Sequence, residues 1–275
     1  MKVLIEKIIL YIHFRIHAGH RKGRGVHPPF AFQFIREVVY GEDAGGLERI
    51  EDLRDSLLRN RKVLPVTDMG AGAGKNLKAS VSELGEGSGK ETRSIRDLVK
   101  CTAIPAKKGR LLARIVRHMQ LERMIELGTG TGISSLYMGL ASPNSKIKTC
   151  EGSSTIAELA RVNFRQMGVN NIEVTNLSFR EWLPGVLKES EEELIVFLDG
   201  DHRGEKMLEY SGMVINAGES RKILILDDIH WSKDMNRAWK KLIKLDKVSL
   251  SLELYNTGIV FIHYDVQKEH IIVNF

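Results

Sequence analysis

Residues 123–141, "RMIELGTGTGISSLYMGLA", contain the pattern that decides the fold. The first five residues form a short apolar run that predicts a strand, and the last nine predict an apolar helix. Between them Gly128, Gly130 and Gly132 allow the backbone to turn tightly and to approach a ligand closely. The first turn of the following helix offers free backbone N–H groups. The stretch therefore predicts a strand–turn–helix unit that binds a ligand at its turn.

The chain after this unit continues the alternation of short apolar runs with helical segments. The predicted strands are KIKTCE, IEVTNL, ELIVFLD and KILILDD, and the predicted helices are TIAELARVNFRQMG, GEKMLEYSGMVI and SKDMNRAWKKLIK. Such alternation requires a mostly parallel sheet with helices on both faces. The final run, VSLSLELYNTGIVFIHY, predicts an antiparallel hairpin around Asn256-Thr257-Gly258, so that the last strand opposes the others. The predicted fold is α/β, a doubly wound, mostly parallel sheet with an antiparallel C-terminal hairpin.

A second glycine-rich stretch, "TDMGAGAGKN" at residues 67–76, competes for the role of ligand loop. Pro65 stands just before it, where a buried strand would need a backbone donor. The stretch is also not a phosphate-binding P-loop, because Met69 replaces the first required glycine and Asn76 replaces Ser or Thr. We interpret residues 67–76 as a turn and place the ligand at the loop that begins with Gly128.

The first hundred residues lack this regular alternation. A turn at Pro28-Pro29 introduces a predicted helix with Phe30, Phe34 and Val38 on one side. Residues 1–104 are therefore predicted to form a helical and loop extension that caps a substrate pocket or mediates oligomerisation, such as a homodimer. Residues 105–275 are predicted to form the main domain. The very start predicts an amphipathic helix, and its apolar face consists of Val3, Leu4, Ile8, Tyr11 and Ile12.

Composition narrows the class of protein and its compartment. The chain has 275 residues, 43% of them hydrophobic and 28% charged, which is typical of globular proteins. Its two cysteines, Cys101 and Cys150, have no metal-like spacing and favour a reducing compartment. Charged residues interrupt the apolar N-terminus before ~18 uncharged residues accumulate, so no transmembrane segment is predicted. We expect a cytoplasmic location.

The net charge of +6 is partly concentrated at residues 15–24, "RIHAGHRKGR". This segment suits phosphate, nucleic acid or a membrane surface, or is simply a solvated basic loop. His13, His17 and His20 are spaced along one predicted helix. Three histidines at this spacing can bind a transition metal, but they are more commonly partly exposed residues of a helix. Composition leaves these alternatives open.

An acidic residue at the end of KIKTCE, the strand that follows the glycine loop and its helix, indicates which ligand the loop binds. Glu151 ends KIKTCE, close to the ~20-residue distance at which a ribose-binding acid follows such a loop. With Glu126 before the loop, "IELGTGTG" resembles the first motif of class I S-adenosylmethionine-dependent methyltransferases. The resemblance covers about residues 105–275 and is strongest to the small-molecule O-methyltransferases related to catechol and caffeoyl-CoA O-methyltransferase.

The resemblance implies S-adenosylmethionine as cofactor and a small-molecule acceptor as substrate. The glycine loop would pass under the methionine portion, Glu126 would orient its amino group, and Glu151 would accept hydrogen bonds from both ribose hydroxyls. The adenine-contacting acid of the family is replaced by Ser178. The predicted cofactor-binding residues are Glu126, Gly128, Thr129, Gly130, Gly132, Glu151, Ser178 and Asp199.

Aspartates end two neighbouring predicted strands, in VFLDGDH and LILDDIH. Carboxylates that converge at one edge of a parallel sheet repel one another unless a cation or protons intervene, and oxygen ligands suit a hard divalent cation. By the resemblance, Asp199, Asp227 and Asp228 would bind Mg²⁺, which would lower the pKa of the substrate hydroxyl. The alternative is that Asp199 and Asp228 cap the following helices.

The resemblance also places a general base three residues after Asp199. The family has lysine there, whereas this chain has His202, whose ordinary pKa suits proton transfer near neutral pH. Asp201 and His230 are reserve bases, and His27 and Phe30 are predicted substrate contacts by analogy. The leading hypothesis is a metal-assisted O-methyltransferase for a small hydroxylated molecule.

Three other functions remain open at this stage. RNA methylation would use the basic N-terminal segment, although phosphate contacts carry no sequence specificity and no Asn-Pro-Pro-Tyr-like motif is present. A non-catalytic cofactor-binding protein would use residues 1–100 for protein or membrane contacts. Hydride transfer with a nicotinamide cofactor is the most distant alternative.

Overall fold

A computed structural model of the protein describes residues 11–12, 14–16, 18–19, 23, 25–27, 29–66, 91–189 and 192–275. The helices are α1 Pro29–Phe34, continued by a π-helical turn Ile35–Val39, α2 Glu48–Arg59, α3 Ile95–Thr102, α4 Ala106–Met119, α5 Ile133–Ala141, α6 Ser154–Met167, α7 Phe179–Leu187, α8 Gly204–Ile215 and α9 Lys233–Leu242. The strands are β1 Val63–Val66, β2 Glu91–Ser94, β3 Arg123–Leu127, β4 Lys146–Cys150, β5 Ile172–Thr175, β6 Leu194–Leu198, β7 Lys222–Leu226, β8 Val248–Leu254, β9 Thr257–Ile262 and β10 Glu269–Ile272.

The main sheet has the strand order β10-β8-β9-β7-β6-β3-β4-β5. Strands β3, β4, β5, β6 and β7 are mutually parallel, and β9 is antiparallel to both β7 and β8. The order reverses between β3 and β6, which is where open α/β sheets bind ligands, beyond the carboxyl ends of their strands. The prediction of a doubly wound, mostly parallel sheet with a hairpin is confirmed.

The prediction was wrong about the last strand. The antiparallel strand β9 lies inside the sheet, and a further strand, β10, pairs parallel with β8. The hairpin turns at Tyr255, which has a left-handed φ of 64°, one residue before the predicted turn. Residues 269–272 escaped prediction because their short run, EHII, begins with two polar residues and lacks a clear period.

Helices cover both faces of the sheet, as the alternation requires. One face packs against α1, α2, α4, α5 and α6, and its buried strand residues include Met124, Phe197 and Ile225. The other face packs against α7, α8 and α9 through residues such as Leu127 and Leu198. Because successive side chains of a strand point to opposite faces, the inner strands contribute apolar residues to both cores.

The described part of residues 29–104 shares the first of these cores. Phe34, Val38 and Ile50 are each at most 1% exposed and belong to the same apolar cluster as helix α4. Phe34 and Val38 confirm the predicted apolar side of the helix after Pro28-Pro29. Phe30 packs against Phe34, Phe261 and Tyr264, toward the opposite end of β9 from the carboxyl edge, so the analogy that made it a substrate contact was wrong.

The stretch that contains Pro65 is a strand, but it lies outside the main sheet. Strand β1 pairs antiparallel with β2 in a separate two-stranded ribbon, with Pro65 opposite Thr92. Pro65 thus lies outside the central sheet, as expected for a residue without a backbone donor, although this ribbon was not predicted. Residues 67–76, the competing glycine loop, lie outside the described residues.

The N-terminal helix is described only in part. Residues 11–12 and 14–16 are helical, and Phe14 is 3% exposed whereas Ile12 is 52% exposed. The predicted apolar face was thus wrong for Ile12, whereas Tyr11, from that face, and Phe14 both pack against Tyr255. Val3, Leu4, Ile8, His13, His17 and His20 lie outside the described residues. Within the described ranges, no helix combines the length and apolarity needed to span a bilayer.

Candidate active site

The glycine loop connects β3 to α5 at the carboxyl edge of the sheet. The backbone N–H groups of Gly128 and Thr129 both donate to the carbonyl of Cys150, at 3.0 and 3.3 Å. Gly128 has a φ of 105°, and a Cβ atom there would lie 2.2 Å from the carbonyl oxygen of Asp199. Only glycine fits a positive φ at so close a backbone approach. The loop is therefore held against both neighbouring strands, as a ligand-binding turn requires.

Glu126 is buried directly beneath this loop. Its side chain leaves strand β3 toward α5, where the Ser135 hydroxyl donates to its Oε2 atom, and the residue is 0% exposed. Its Oε1 atom is buried without a hydrogen-bond partner. Burial raises the pKa of Glu126 to about 7, although hydrogen bonding at its other oxygen opposes the shift. An unpaired carboxylate oxygen at this depth favours a ligand that brings an ammonium group.

Glu151 closes the other side of the loop. Its carboxylate accepts hydrogen bonds from the backbone N–H groups of Gly130, at 3.0 Å, and Ser153, at 2.9 Å. The side chain is half-buried at the carboxyl edge of the sheet, beside the glycine loop. Its role in binding ribose hydroxyls stays a prediction.

The C-terminal end of α3 covers the glycine loop. A Cβ atom on Gly130 would lie 3.3 Å from the Thr102 hydroxyl oxygen. Sequence analysis did not predict this neighbour, because the strand–turn–helix pattern contains no information on which helix of residues 1–104 lies above it. Thr102 therefore forms part of one wall of the site.

Ser178 lies after β5 and begins helix α7. Its hydroxyl donates to Glu181 Oε2 at 2.6 Å and accepts from the Glu181 backbone N–H at 3.4 Å, which is a helix-capping box. The role of Ser178 in adenine binding remains a prediction, but the structure assigns its hydroxyl to the cap. Helix α7 was not predicted, because Pro184 interrupts its pattern.

Asp199, Asp227 and Asp228, the acidic cluster, lie at the ends of β6 and β7. The Asp199 N–H donates to the Leu127 carbonyl at 2.9 Å, and the Asp227 N–H donates to the Leu198 carbonyl at 3.0 Å. These bonds bring the cluster beside the glycine loop, as predicted. Burial, together with repulsion from Asp227 and Asp228, raises the pKa of Asp199 well above its usual range. Asp228 adopts a left-handed φ of 51°, a strained conformation of the kind found at functional sites.

Lys108 enters the acidic cluster from helix α4. Its ammonium group donates to Asp227 Oδ1 and lies 3.3 Å from Asp228 Oδ1. Burial lowers the pKa of Lys108, but attraction to Asp227, Asp228 and Asp199 outweighs it and raises the pKa overall. The lysine escaped prediction because it lies far from the aspartates in sequence and only the docking of α4 brings it to them.

The arrangement of these side chains does not fit the predicted Mg²⁺. The Oδ1 atoms of Asp227 and Asp228 are already paired with the ammonium group of Lys108, which occupies the place between them. Throughout the described ranges, no set of three or more His, Cys, Asp or Glu side chains is grouped closely enough to hold a metal ion. The expectation that Asp199, Asp227 and Asp228 bind Mg²⁺ therefore stays a prediction that the geometry does not support.

The three predicted bases have different surroundings. His202 is half-buried, with its ring 5.9 Å from that of Trp231. Asp201 forms a two-pronged ion pair with Arg203, with both N–O distances at 2.5 Å. His230 is buried, with both ring nitrogens in hydrogen bonds. The two reserve bases are thus occupied, and the role of His202 as the base stays a prediction.

His230 belongs to a buried network that fixes the loop after β7. Glu253 on β8 bonds His230 Nε2 at 3.0 Å and accepts from Trp239 Nε1 at 2.7 Å, while Asn236 Nδ2 lies 2.6 Å from His230 Nδ1. Burial opposes ionisation of Glu253, but hydrogen bonds from His230, His270 and Trp239 outweigh it and hold its pKa far below the usual range.

We expect Glu253→Gln to lower the free energy of unfolding by about 3 kcal/mol at pH 7, because it removes a buried charge whose partners stay in place. A depressed folded-state pKa stabilises the protein above the unfolded-state pKa and is lost as pH falls, so the deficit should shrink below about pH 4. Urea denaturation at pH 7 and at about pH 2.5, well below the unfolded-state pKa, measures it, with Glu205→Gln, an exposed position, as control. A deficit that is equal at both pH values would contradict this account.

Comparison with known proteins identifies the family. A family model described as O-methyltransferase matches residues 82–250, more than half of the chain. The chain belongs to this O-methyltransferase family. A catechol O-methyltransferase from Mycobacterium tuberculosis is 27% identical over 129 residues, which is 46% of this chain and 57% of that enzyme. The match thus spans little more than half the length of that relative.

Solved structures of similar fold include two O-methyltransferases. The Bacillus cereus enzyme, in complex with SAH, aligns with a TM-score of 0.53 and 16% identity over 84% of this chain and 95% of its own. TomG from Streptomyces achromogenes, in complex with SAM and involved in tomaymycin synthesis, aligns with a TM-score of 0.50 and 21% identity over 58% of this chain and 81% of its own. At these identities the likeness establishes the α/β methyltransferase fold, and with the family match it confirms the resemblance found in the sequence.

Proposed function

We propose that the protein transfers a methyl group from S-adenosylmethionine to a hydroxyl group of a small molecule. The observation that carries the cofactor assignment is the buried Oε1 atom of Glu126, which has no partner and lies beneath a glycine loop that no larger residue fits. When bound, S-adenosylmethionine supplies a methyl group made electrophilic by its sulfonium. Glu126 would receive the amino group of the methionine portion, and Glu151 the ribose hydroxyls.

The acceptor site would lie beside the acidic cluster, on the surface formed by the ends of β6 and β7. His202 follows β6 and lies next to Trp231, which is 50% exposed and offers an aromatic surface to a planar acceptor. A histidine here can take the hydroxyl proton as the oxygen becomes nucleophilic. Thr102 over the loop supports the proposal that residues 1–104 cap this pocket. A homodimer and a cytoplasmic location remain predictions.

RNA methylation and a non-catalytic role remain as outcomes of the experiment. Three of the four Lys and Arg residues in the basic segment at residues 15–24, namely Arg21, Lys22 and Arg24, lie outside the described residues, so the structure adds no support for RNA binding. The test is an assay with S-adenosylmethionine labelled in its methyl group against catechols, other phenols and a short RNA. We expect label to enter a hydroxylated small molecule. Transfer only to RNA, or heat of SAH binding without transfer to any acceptor, would contradict the proposal.

Replacing the proposed base should affect chemistry but not cofactor binding. We expect His202→Ala to lower kcat by about 100-fold, because general-base catalysis contributes at least that much. Its affinity for SAH, measured by calorimetry, should be unchanged. His118→Ala is the matched control, since His118 is exposed at the far end of α4. A variant that retains the wild-type kcat would remove His202 from the mechanism.

A further inference from the structure

The side chain of Lys108 is partly buried in the acidic cluster and is held there by ion pairs. Its side chain is 18% exposed, and those of Asp227 and Asp228 are 8% and 23% exposed. The pair thus differs from solvent-exposed ion pairs, which contribute little because water screens them. Thr257 adds a hydrogen bond to Asp227 Oδ1 at 3.4 Å, which further fixes that carboxylate.

Helix α4 cannot easily move the lysine away. The next residue is Gly109, where a Cβ atom would lie 2.3 Å from the ring of Tyr137 on α5. Leu111 and Leu112, one turn further, are buried in the core. The helix therefore docks closely on α5, and this docking delivers the ammonium group to the aspartates.

The donors of Lys108 suit an oxygen ligand. A lysine ammonium has three N–H donors, and Asp227 and Asp228 accept two of them. One donor remains for an oxygen of the acceptor. The acceptor oxygen develops negative charge as it loses its proton, and the ammonium group places a fixed positive charge beside it. A metal ion at this position would stabilise the same negative charge.

We propose that Lys108 takes the place of a divalent cation at this site, binding the acceptor hydroxyl so that methyl transfer needs no metal. The inference rests on the proposed function. The acceptor oxygen uses a lone pair to form the new O–C bond, and the C–S bond breaks with its electrons staying on sulfur. The hydroxyl proton passes to His202, and the products are a methyl ether and S-adenosylhomocysteine.

The first test measures metal binding directly. Full-length protein freed of metals on a chelating resin is titrated with Mn²⁺ in the presence of SAH, and bound Mn²⁺ is followed by electron paramagnetic resonance. We expect no saturable Mn²⁺ binding by the wild type and no loss of transfer rate in EDTA. Saturable binding of Mn²⁺, or a rate that disappears in EDTA and returns with Mg²⁺, would overturn the proposal.

The second test removes the ammonium group. Lys108→Ala should lower the transfer rate by about 100-fold, the cost of removing one donor to a developing oxyanion. It should also gain a Mn²⁺ site, because the three carboxylates lose their internal cation. Lys107→Ala is the matched control, since Lys107 is exposed on the same helix. A Lys108→Ala enzyme with the wild-type rate would contradict the role of this lysine.

Two further measurements distinguish a failure of the lysine proposal from a failure of the proposed methyltransferase function. If Lys108→Ala fails to fold, Lys108→Met retains the length of the side chain, and the wild-type Mn²⁺ titration decides the question by itself. The heat of SAH binding to the wild type reports on the proposed function independently of any metal. Absence of that heat counts against the methyltransferase proposal, whereas Mn²⁺ binding counts only against the lysine.

Discussion

Gly128→Ala is expected to weaken the binding of S-adenosylhomocysteine severely. The new Cβ atom would lie 2.2 Å from the carbonyl oxygen of Asp199 and 2.8 Å from its carbonyl carbon. Both are backbone atoms, so relief of the clash requires β3 and β6 to separate at the edge where the cofactor is proposed to bind. The φ of 105° adds strain for any residue with a side chain. We expect affinity to fall by more than about 100-fold, because the loop loses its geometry.

The control for Gly128→Ala is a glycine of similar conformation away from the site. Gly168 ends α6 with a φ of 67°, and a Cβ atom there would meet nothing within 4 Å. Gly168→Ala should cost about 1 kcal/mol of stability from backbone strain and leave SAH affinity unchanged. Calorimetry gives the affinities and thermal unfolding the stabilities. A folded Gly128→Ala protein with the wild-type affinity would show that the loop does not hold the ligand.

Glu126→Gln is expected to stabilise the free protein while it weakens cofactor binding. The pKa of Glu126 is about 7 in the folded protein, against 4.5 for an ordinary glutamate. A raised acid pKa means that the folded state holds a proton that the unfolded state has lost, so stability falls as pH rises through this window. The resulting loss in the free energy of unfolding reaches about 3 kcal/mol above pH 7 and vanishes below pH 4.5. Glutamine carries no ionisable group, so the variant avoids this loss.

The measurement is urea denaturation of wild type and Glu126→Gln without cofactor at pH 4.5 and pH 8. The variant should gain its stability only at the higher pH, whereas Glu173→Gln, at an exposed position on β5, should match the wild type at both. SAH affinity should fall by about 10-fold or more, since a hydrogen bond to a charged group contributes roughly 1.5–3 kcal/mol. An equal gain at both pH values would show that burial of charge is not the cause.

The sequence predicted the parts of the fold that depend on local pattern. The strand–turn–helix unit at residues 123–141 and the alternation after it specify the parallel sheet, because apolar runs of this length have few other solutions. The same pattern brought Glu126, Glu151 and the three aspartates to one edge. The two elements that were not predicted have no regular hydrophobic pattern, because β10 begins with two polar residues and α7 is interrupted by Pro184.

The site was less predictable, because its decisive neighbour comes from elsewhere in the chain. Lys108 faces Asp227 and Asp228 only through the docking of α4 on α5, which depends on Gly109 and Tyr137 fitting together. The expectation of Mg²⁺ rested on the converging carboxylates and on the family resemblance, and neither indicated an ammonium group 119 residues before Asp227. Thr102 over the glycine loop was missed for the same reason.

The most direct test of the central claim is a crystal structure of the protein with S-adenosylhomocysteine. The account predicts that the amino group of the ligand lies within hydrogen-bonding distance of Glu126 Oε1 and that the ribose hydroxyls contact Glu151. The sulfur should then face the acidic cluster. A ligand bound at any other place, or one whose amino group leaves Glu126 Oε1 unpaired, would contradict the account.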